Sequence, residues 1–268
     1  MLKKAFRIFR IILLIACAAV FAVSAIKLAE ILAEYSRAEN VYNEINKGVE
    51  DVFVDSSESE IPEHLVALSK YVSELKAQYP DVVGYVNVPS LGISYPVVQT
   101  DNNDYYLDHM ITGEESASGA IFLDYRISND PSETQNTVLY GHNMNNGSMF
   151  HKVVELYDLE KFMNATVEYV TENAVYIYSP LALYRCAAYY PFGTYSFDDG
   201  DSFVGFCDMI VEKSYHTTRP EGTEYDGDES LITFLTCTNS ITTKADRYVY
   251  HALLTESYQN IHGEDGSK

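Results

Sequence analysis

Residues 231–237 have the sequence Leu231-Ile232-Thr233-Phe234-Leu235-Thr236-Cys237, a nearly continuous apolar run that ends in a cysteine. An apolar run of this length, followed by the polar turn at 238–240, predicts a buried β-strand. The strand would hold the Cys237 thiol rigidly at its mouth, where other molecules can still reach it. Because cysteine is also among the residue types most often buried, simple packing is an alternative role for this side chain.

A strand-like pattern extends outward from this run, between residues 82 and 255. The 23 tyrosines and the many β-branched residues favour it, because such side chains fit a half-buried pleated surface. Many short strands separated by turn signals predict a mainly β domain, either a barrel or a sandwich, with a short helix before the cysteine strand. The predicted strands are 82–88, 94–99, 120–124, 137–140, 166–171, 174–179, 181–190, 231–236 and 248–255, and the predicted short helices are 148–156 and 203–213.

The N-terminus has the charge pattern of a membrane segment. Residues 1–10 contain Lys3, Lys4, Arg7 and Arg10 but no acidic residue, and residues 11–26 contain no charge. About 20 apolar residues cross a bilayer, and positive charge before such a span keeps the N-terminus cytoplasmic. We expect a cytoplasmic N-terminus at 1–10 and a single-pass transmembrane anchor at 11–33, with the rest of the chain extracytoplasmic. A cleaved signal peptide is the alternative, since the small residues at 22–25 suit a peptidase.

Helices are predicted between the anchor and the first strand. Apolar residues continue at helical spacing beyond the span, so the anchor is expected to run into an amphipathic stalk. Gly48 is expected to end this helix, an acidic link follows at 51–60, and a second helix begins at Pro62 and stops at Pro80. The expected organisation is a helical stalk with N-terminal helices at 34–79, a β-domain at 80–257 and a polar tail at 258–268.

The composition excludes some classes of function. The chain has 39 acidic and 18 basic residues, a formal net charge of −21, which opposes nucleic-acid binding through phosphates. It has four cysteines but no C-x-x-C motif, so no metal site and no other cofactor are expected. Cys186 and Cys207 are alternatives to Cys237 as the reactive thiol, but they fall in the middle of a predicted strand and of a predicted helix.

Two other strand ends have the side chains that a thiol needs for acyl transfer. The apolar strand at 137–140 runs into Gly141 and His142, and Arg247 begins the last strand. In acyl transfer a thiolate attacks a carbonyl, a histidine protonates the leaving amine and a fixed positive donor stabilises the oxyanion. A lone histidine is usually structural, and an arginine at a strand start is usually solvated. Together, however, the three predict Cys237 as nucleophile, His142 as general acid/base and Arg247 as oxyanion stabiliser.

These motifs resemble those of the sortase family. The sequence Thr-Phe-Leu-Thr-Cys at 233–237 is similar to the family's T-L-x-T-C signature, with Phe234 in place of the usual leucine. Residues 140–143 resemble its histidine motif, and Arg247 stands at the position of its arginine. The segments 96–102 and 119–126, the paired N-terminal helices and the helix at 203–213 resemble class B members in particular. The resemblance covers about residues 79–256.

The resemblance implies a sortase-type closed β-barrel with N-terminal helices, acting as a cysteine transpeptidase. Such an enzyme cleaves a C-terminal sorting signal after threonine, forms an acyl-thioester on Cys237 and transfers the protein to a cell-wall amine. Its partners would be sorting-signal peptides of secreted surface proteins, a peptidoglycan-linked amine and the membrane. The substrate groove would involve residues 201–218. Some class B members have an acidic residue two positions after the cysteine; here it is Asn239, so no carboxylate is assigned to orient His142.

The sequence leaves three alternative functions open. A pilin-polymerising sortase usually has a second, C-terminal span, whereas residues 257–268 are polar. In a simple protease, water instead of an amine would resolve the thioester. In the third alternative, the chain is a non-catalytic, membrane-anchored, tyrosine-rich module that binds a ligand at the surface.

Overall fold

The computed structural model describes residues 2–52, 61–191, 193–218, 225–238 and 246–262. Asn239, residues 53–60 of the expected acidic link and residues 263–268 of the expected tail lie outside the described residues.

The strands of this described part form a closed barrel, as predicted. Their order is β5-β1-β2-β3-β4-β8-β9-β6-β7, and an additional pairing of β5 with β6 joins eight of them into a ring while β7 lies against β6. Closure leaves those eight strands without free edges. The bounds are β1 Val82–Val88, β2 Ile93–Val98, β3 Ile121–Leu123, β4 Asn136–Tyr140, β5 Val167–Val170, β6 Ala174–Ala187, β7 His216–Thr217, β8 Leu231–Cys237 and β9 Asp246–Gln259.

One predicted division between two strands is wrong. The segments 174–179 and 181–190 were expected to be separate strands divided by Pro180, but they form the single long strand β6, which ends at Ala187. The pairing of β6 with β9 shifts register between Pro180 and Ala182. A β-bulge of this kind accommodates a proline, which has no N–H to donate to the ladder.

In the described residues the strands are accompanied by four α-helices and four 3₁₀ helices. The predicted helix at 148–156 is a 3₁₀ helix in the structure, and a short α-helix after it was not predicted. The α-helices are α1 Leu2–Val52, α2 Glu63–Gln78, α3 Leu159–Met163 and α4 Gly200–Lys213; the 3₁₀ helices are Pro89–Leu91, Tyr105–Leu107, Pro131–Glu133 and Phe150–Tyr157.

Gly48 does not end the first helix, which continues to Val52. Its role is to make room for α2, because a Cβ atom at this position would lie 2.5 Å from the Tyr71 hydroxyl oxygen. That hydroxyl donates a 2.8 Å hydrogen bond to the carbonyl of Ile45. The glycine therefore marks a close contact between two helices and not a helix terminus.

The first helix has two parts with different surroundings. Its N-terminal part exposes large apolar side chains from Phe6 to Leu32, and by length and composition it can cross a membrane, as an anchor or a signal segment does. Its C-terminal part buries Tyr42, Ile45 and Val49 in the main apolar core. The helix is continuous between the two parts, so the apolar segment is joined directly to the barrel domain.

A buried polar chain links four strands of the barrel. Thr233 donates a 2.6 Å hydrogen bond to Oδ1 of Asn136, so its oxygen accepts from Nδ1–H of the fully buried His251 at 2.7 Å. The Nε2 atom of the same ring accepts from the Tyr184 hydroxyl at 3.0 Å. Asn136 in turn donates at 2.6 Å to the carbonyl of Thr194, in the loop before α4. Burial lowers the pKa of His251 to about 3, so this ring is neutral at physiological pH.

Candidate active site

The parallel pairing of β4 with β8 brings two of the predicted site residues together. Tyr140 is in register with Leu235, and the Gly141 N–H donates at 3.1 Å to the carbonyl of Leu235. In-register parallel strands end at the same edge of a sheet. His142 and Cys237, each two residues beyond the paired position, therefore leave the barrel at the same place.

Arg247 reaches the same edge of the sheet from β9, which pairs with β8 on the side away from β4. It is the antiparallel register partner of Cys237. Side chains directly opposite each other in such a pair lie on the same face, with Cα atoms about 4.5–5.5 Å apart. The guanidinium also donates from Nη1 to the carbonyl of Asp246 at 3.1 Å, which fixes part of its orientation.

All three predicted site residues line one cleft of about 290 Å³. Cys237 is partly exposed, so the sulfur is neither deep in the core nor distant from the other two groups. The structure describes all of residues 201–218, and none of them lines this cleft, so the contribution expected from that segment is absent here. Ala188, which comes just after β6, does line the cleft. The other lining residues are Asn103, Leu107, Phe122, Tyr140, Gly141, Leu235 and Thr236.

The imidazole of His142 is oriented by a backbone carbonyl. Its Nε2 atom lies 2.7 Å from the carbonyl oxygen of Leu107. A carbonyl oxygen only accepts, so Nε2 carries the proton and, in the neutral ring, Nδ1 is the basic nitrogen. A backbone partner in a 3₁₀ helix 35 positions away leaves no signal in the sequence, and this contact could not be predicted from it.

A buried carboxylate supports the wall of the cleft beside His142. Asp124 is fully buried and accepts hydrogen bonds from the Tyr140 hydroxyl at 2.8 Å and from Nε and Nη2 of Arg126 at 2.8 and 2.6 Å. Burial by itself raises the pKa of the Asp124 carboxyl, but the hydrogen bonds from Arg126 and Tyr140 outweigh it and hold this pKa below its usual value. The Arg126 guanidinium also lies 4.6 Å from the ring centroid of Tyr195. The hydrogen bond to Asp124 thus holds the Tyr140 side chain in one orientation in the cleft wall.

Two polar residues near Cys237 were not identified from the sequence. Nδ2 of Asn143 donates at 2.9 Å to the carbonyl oxygen of Cys237, and Oδ1 of Asn143 lies 2.7 Å from Nδ1 of His151. Asn143 belongs to the histidine motif at 140–143, and His151 lies within the predicted short helix at 148–156, so neither pattern indicates a role beside Cys237. The signal that could have found Asn143 is its position directly after His142.

The other cysteines differ from Cys237 in their surroundings. All four belong to the described part of the chain, where none forms a disulfide. Cys186 is one residue from the end of β6 and not in mid-strand as expected. It is the register partner of Arg247 on β6, whereas Cys237 is the partner of the same arginine on β8. Burial raises the pKa of its thiol to about 11, which disfavours the thiolate. Cys207 is buried within α4, as expected.

No metal-binding arrangement accompanies this site. Among the residues that the structure describes, no group of at least three histidine, cysteine, aspartate or glutamate side chains could hold an ion. The chemistry available in the cleft is that of a thiol, an imidazole and a guanidinium between mainly apolar walls.

Comparison with known proteins identifies several similar barrels. The chain matches the family model of the Sortase domain over residues 86–255. It is 29% identical over 165 residues to Sortase B of Listeria monocytogenes, an alignment that covers 61% of this chain and 65% of that protein. Sortase B from Bacillus anthracis, in complex with AAEK1, superposes with a TM-score of 0.69 and 29% identity, covering 84% of this chain and 100% of that chain. The Staphylococcus aureus sortase B–substrate complex has a TM-score of 0.71 at 19% identity, covering 84% and 99%, a likeness of fold alone.

Proposed function

This chain belongs to the sortase family, whose members are cysteine transpeptidases, and on that premise we propose that it is a class B-like sortase that cleaves a C-terminal sorting signal after threonine. The released carboxyl end of the threonine would be joined to a cell-wall amine. The observation that supports this proposal best is the single cleft lined by Cys237, His142 and Arg247 at three neighbouring strand ends.

The first half of the proposed reaction is acylation of Cys237. The thiolate attacks the threonine carbonyl carbon, a C–S bond forms, and the negative charge that develops on the carbonyl oxygen is stabilised by Arg247. The scissile C–N bond then breaks, and the leaving amine takes a proton from His142. The product is an acyl-thioester on Cys237 together with the released C-terminal peptide.

The second half transfers the acyl group to an amine. His142, now neutral, accepts a proton from the incoming amine as the new C–N bond forms, and the C–S bond breaks to regenerate the Cys237 thiolate. Apolar residues such as Leu107 and Phe122 form much of the cleft wall. They would limit access of water to the thioester and so favour transfer over hydrolysis.

The proposed location of the chain in a membrane rests on the apolar and charged residues of α1. Its exposed apolar part suits a bilayer, and the basic residues of positions 1–10 favour a cytoplasmic N-terminus. The catalytic barrel at 80–257 would then lie outside the membrane, near the sorting signals of secreted proteins and the peptidoglycan-linked amine that accepts them. The domain limits of anchor, stalk, barrel and tail are part of this proposal.

The decisive test is ligation by the full chain in detergent. Peptides containing Asn-Pro-x-Thr-Asn or Pro-x-Thr-Gly are incubated with a peptide amine, and mass spectrometry is used to detect both the ligated product and the thioester. We expect the thioester on Cys237, no product with Cys237→Ala, severe loss with His142→Ala, and a loss of about 100- to 1,000-fold with Arg247→Ala, typical of removing an oxyanion donor.

The matched control for these variants is Cys186→Ser. This thiol lies beside Arg247 but does not line the cleft, so ligation should continue at the wild-type rate. A thioester found on Cys186, or full activity of Cys237→Ala, would overturn the assignment. Hydrolysed peptide without ligated product, at saturating amine, would instead identify the chain as a protease.

A further inference from the structure

We propose that Asn143, held in place by His151, is a positioning residue that sets the distance between the nucleophile and the catalytic histidine. The inference rests on the function proposed above and extends it to two side chains that do not themselves touch the reacting atoms. The supporting feature is the end of the β4–β8 ladder beside Cys237, where a side chain replaces a backbone donor.

The hydrogen-bond ladder between β4 and β8 is continued by a side chain. Its last backbone step in this direction is the bond from the Gly141 N–H to the carbonyl of Leu235. Parallel ladders repeat every two residues, so the next step would join the N–H of residue 143 to the carbonyl of Cys237. The backbone turns away before that step, because residue 143 pairs instead with Met149. The Asn143 side-chain amide then supplies the missing donor, at 2.9 Å from the Cys237 oxygen.

Cys237 and His151 together determine the orientation of this amide. The Cys237 carbonyl only accepts, so the NH₂ group of Asn143 must face it and Oδ1 must face His151. His151 therefore donates from Nδ1–H, at 2.7 Å. The histidine holds the amide plane in the one orientation that continues the ladder.

The turn that carries Asn143 is braced on its other side as well. The Phe150 N–H donates at 2.9 Å to the carbonyl of His142, and the Met149 N–H donates at 2.9 Å to the hydroxyl of Tyr95 in β2. His142 and Asn143 thus belong to one fixed turn, and the Asn143 amide connects that turn directly to Cys237. Loss of this amide would leave the Gly141 N–H as the nearest ladder bond, one step further from the thiol.

The expected effect is on catalysis more than on folding. An error of about 1 Å in the position of a reacting group can cost on the order of 100-fold in rate, whereas one hydrogen bond changes a stability equilibrium by only about fivefold. Removing the amide should therefore lower kcat while leaving KM nearly unchanged, because Asn143 does not line the cleft that would bind the peptide.

The test compares two substitutions in the same turn of the full chain. Asn143→Ala removes the bond to Cys237, and Asn146→Ala is its matched control, because Asn146 is exposed and accepts hydrogen bonds from Ser148 only within the turn. We expect kcat for peptide ligation to fall by about 10- to 100-fold in Asn143→Ala, with KM within about threefold, and to stay within about twofold in Asn146→Ala.

A second pair of variants tests the role of His151. In His151→Asn the amide NH₂ replaces Nδ1–H as a donor, so activity should be close to that of the wild type. In His151→Leu the donor is lost, and kcat should fall by about 3- to 10-fold. Equal loss in both variants, or wild-type kcat in Asn143→Ala, would overturn the proposal.

A readout independent of activity separates this proposal from the proposed function. Hydrogen exchange of the Gly141 amide reports on the last backbone step of the ladder, and it should be about fivefold faster in Asn143→Ala than in Asn146→Ala. If exchange and kcat are unchanged while Cys237→Ala is inactive, the positioning role is wrong and the sortase function stands. If the wild type ligates no peptide but exchange responds as expected, the function is wrong and the positioning of Cys237 stands.

Discussion

Acidification should destabilise the barrel through one buried histidine. His251 is fully buried between Tyr184 and Thr233, and burial lowers its pKa to about 3. In the unfolded chain the pKa is about 6.5, so between these two values the unfolded state binds one more proton than the native state. Stability is therefore complete above about pH 6.5 and is lost as the pH falls towards 3.

The size of the effect follows from the two pKa values. Each pH unit in this window is worth about 1.4 kcal/mol, so the free energy of unfolding should fall by about 2 kcal/mol between pH 6.5 and pH 5. The total loss in the free energy of unfolding from this histidine approaches about 5 kcal/mol at low pH. Carboxyl groups with lowered pKa, such as Asp124 and Asp130, act below about pH 4, where aspartate protonates in the unfolded chain, so they do not obscure this range.

The assay is urea unfolding of the full chain in detergent at pH 7, 6 and 5, followed by tyrosine fluorescence, since the protein has 23 tyrosines and no tryptophan. The comparison is with His251→Gln, whose amide can donate and accept but cannot be charged. The wild type should lose about 2 kcal/mol between pH 7 and pH 5 and the variant less than about 0.5 kcal/mol. Equal losses in the two proteins would refute the reasoning, because the other histidines are common to both.

Three further substitutions test the supports of the site. Asp124→Asn keeps the volume of the buried carboxyl but not its charge, and should cost about 2–3 kcal/mol in urea unfolding, somewhat less than a fully buried pair because Arg126 is 41% exposed. Gly141→Ala places a methyl group 2.4 Å from a neighbouring isoleucine Cδ1 atom, so the melting temperature should fall, at a cost of about 1–3 kcal/mol, and ligation should fall further because His142 is displaced. Tyr42→Phe removes a 2.8 Å hydrogen bond from α1 to the buried carbonyl of Gly119, and should cost about 1 kcal/mol and reduce kcat.

Each of these predictions has an outcome that contradicts it. An unchanged unfolding free energy in Asp124→Asn would show that the Arg126 pair contributes nothing. Wild-type kcat in Gly141→Ala would show that the turn absorbs the methyl group without moving the histidine. For Tyr42→Phe the control is Tyr71→Phe, which loses a hydrogen bond of the same 2.8 Å length to Ile45, away from the site. Equal kcat in the two would exclude a link from α1 to the cleft.

Much of the fold could be predicted because its elements are locally encoded. The strand at 82–88 agrees at both ends with β1, and the cysteine strand is longer by one residue only. Alternating or continuous apolar runs determine which residues can be buried on a sheet, whatever the rest of the chain does. Two of the predictions that were wrong, at Gly48 and Pro180, concern residues whose usual local effect was overridden by a contact with another element.

The sequence by itself determined that Cys237, His142 and Arg247 stand at strand ends, since the periodicity of each segment and the motif around each residue are local properties. Only the tertiary structure decided that these ends share one cleft, that Leu107 orients the imidazole and that Asn143 completes the ladder at Cys237. The physical reason is range. A strand is specified by its own side chains, whereas a hydrogen bond between residues 94 positions apart exists only after the barrel has closed and set the register of its strands.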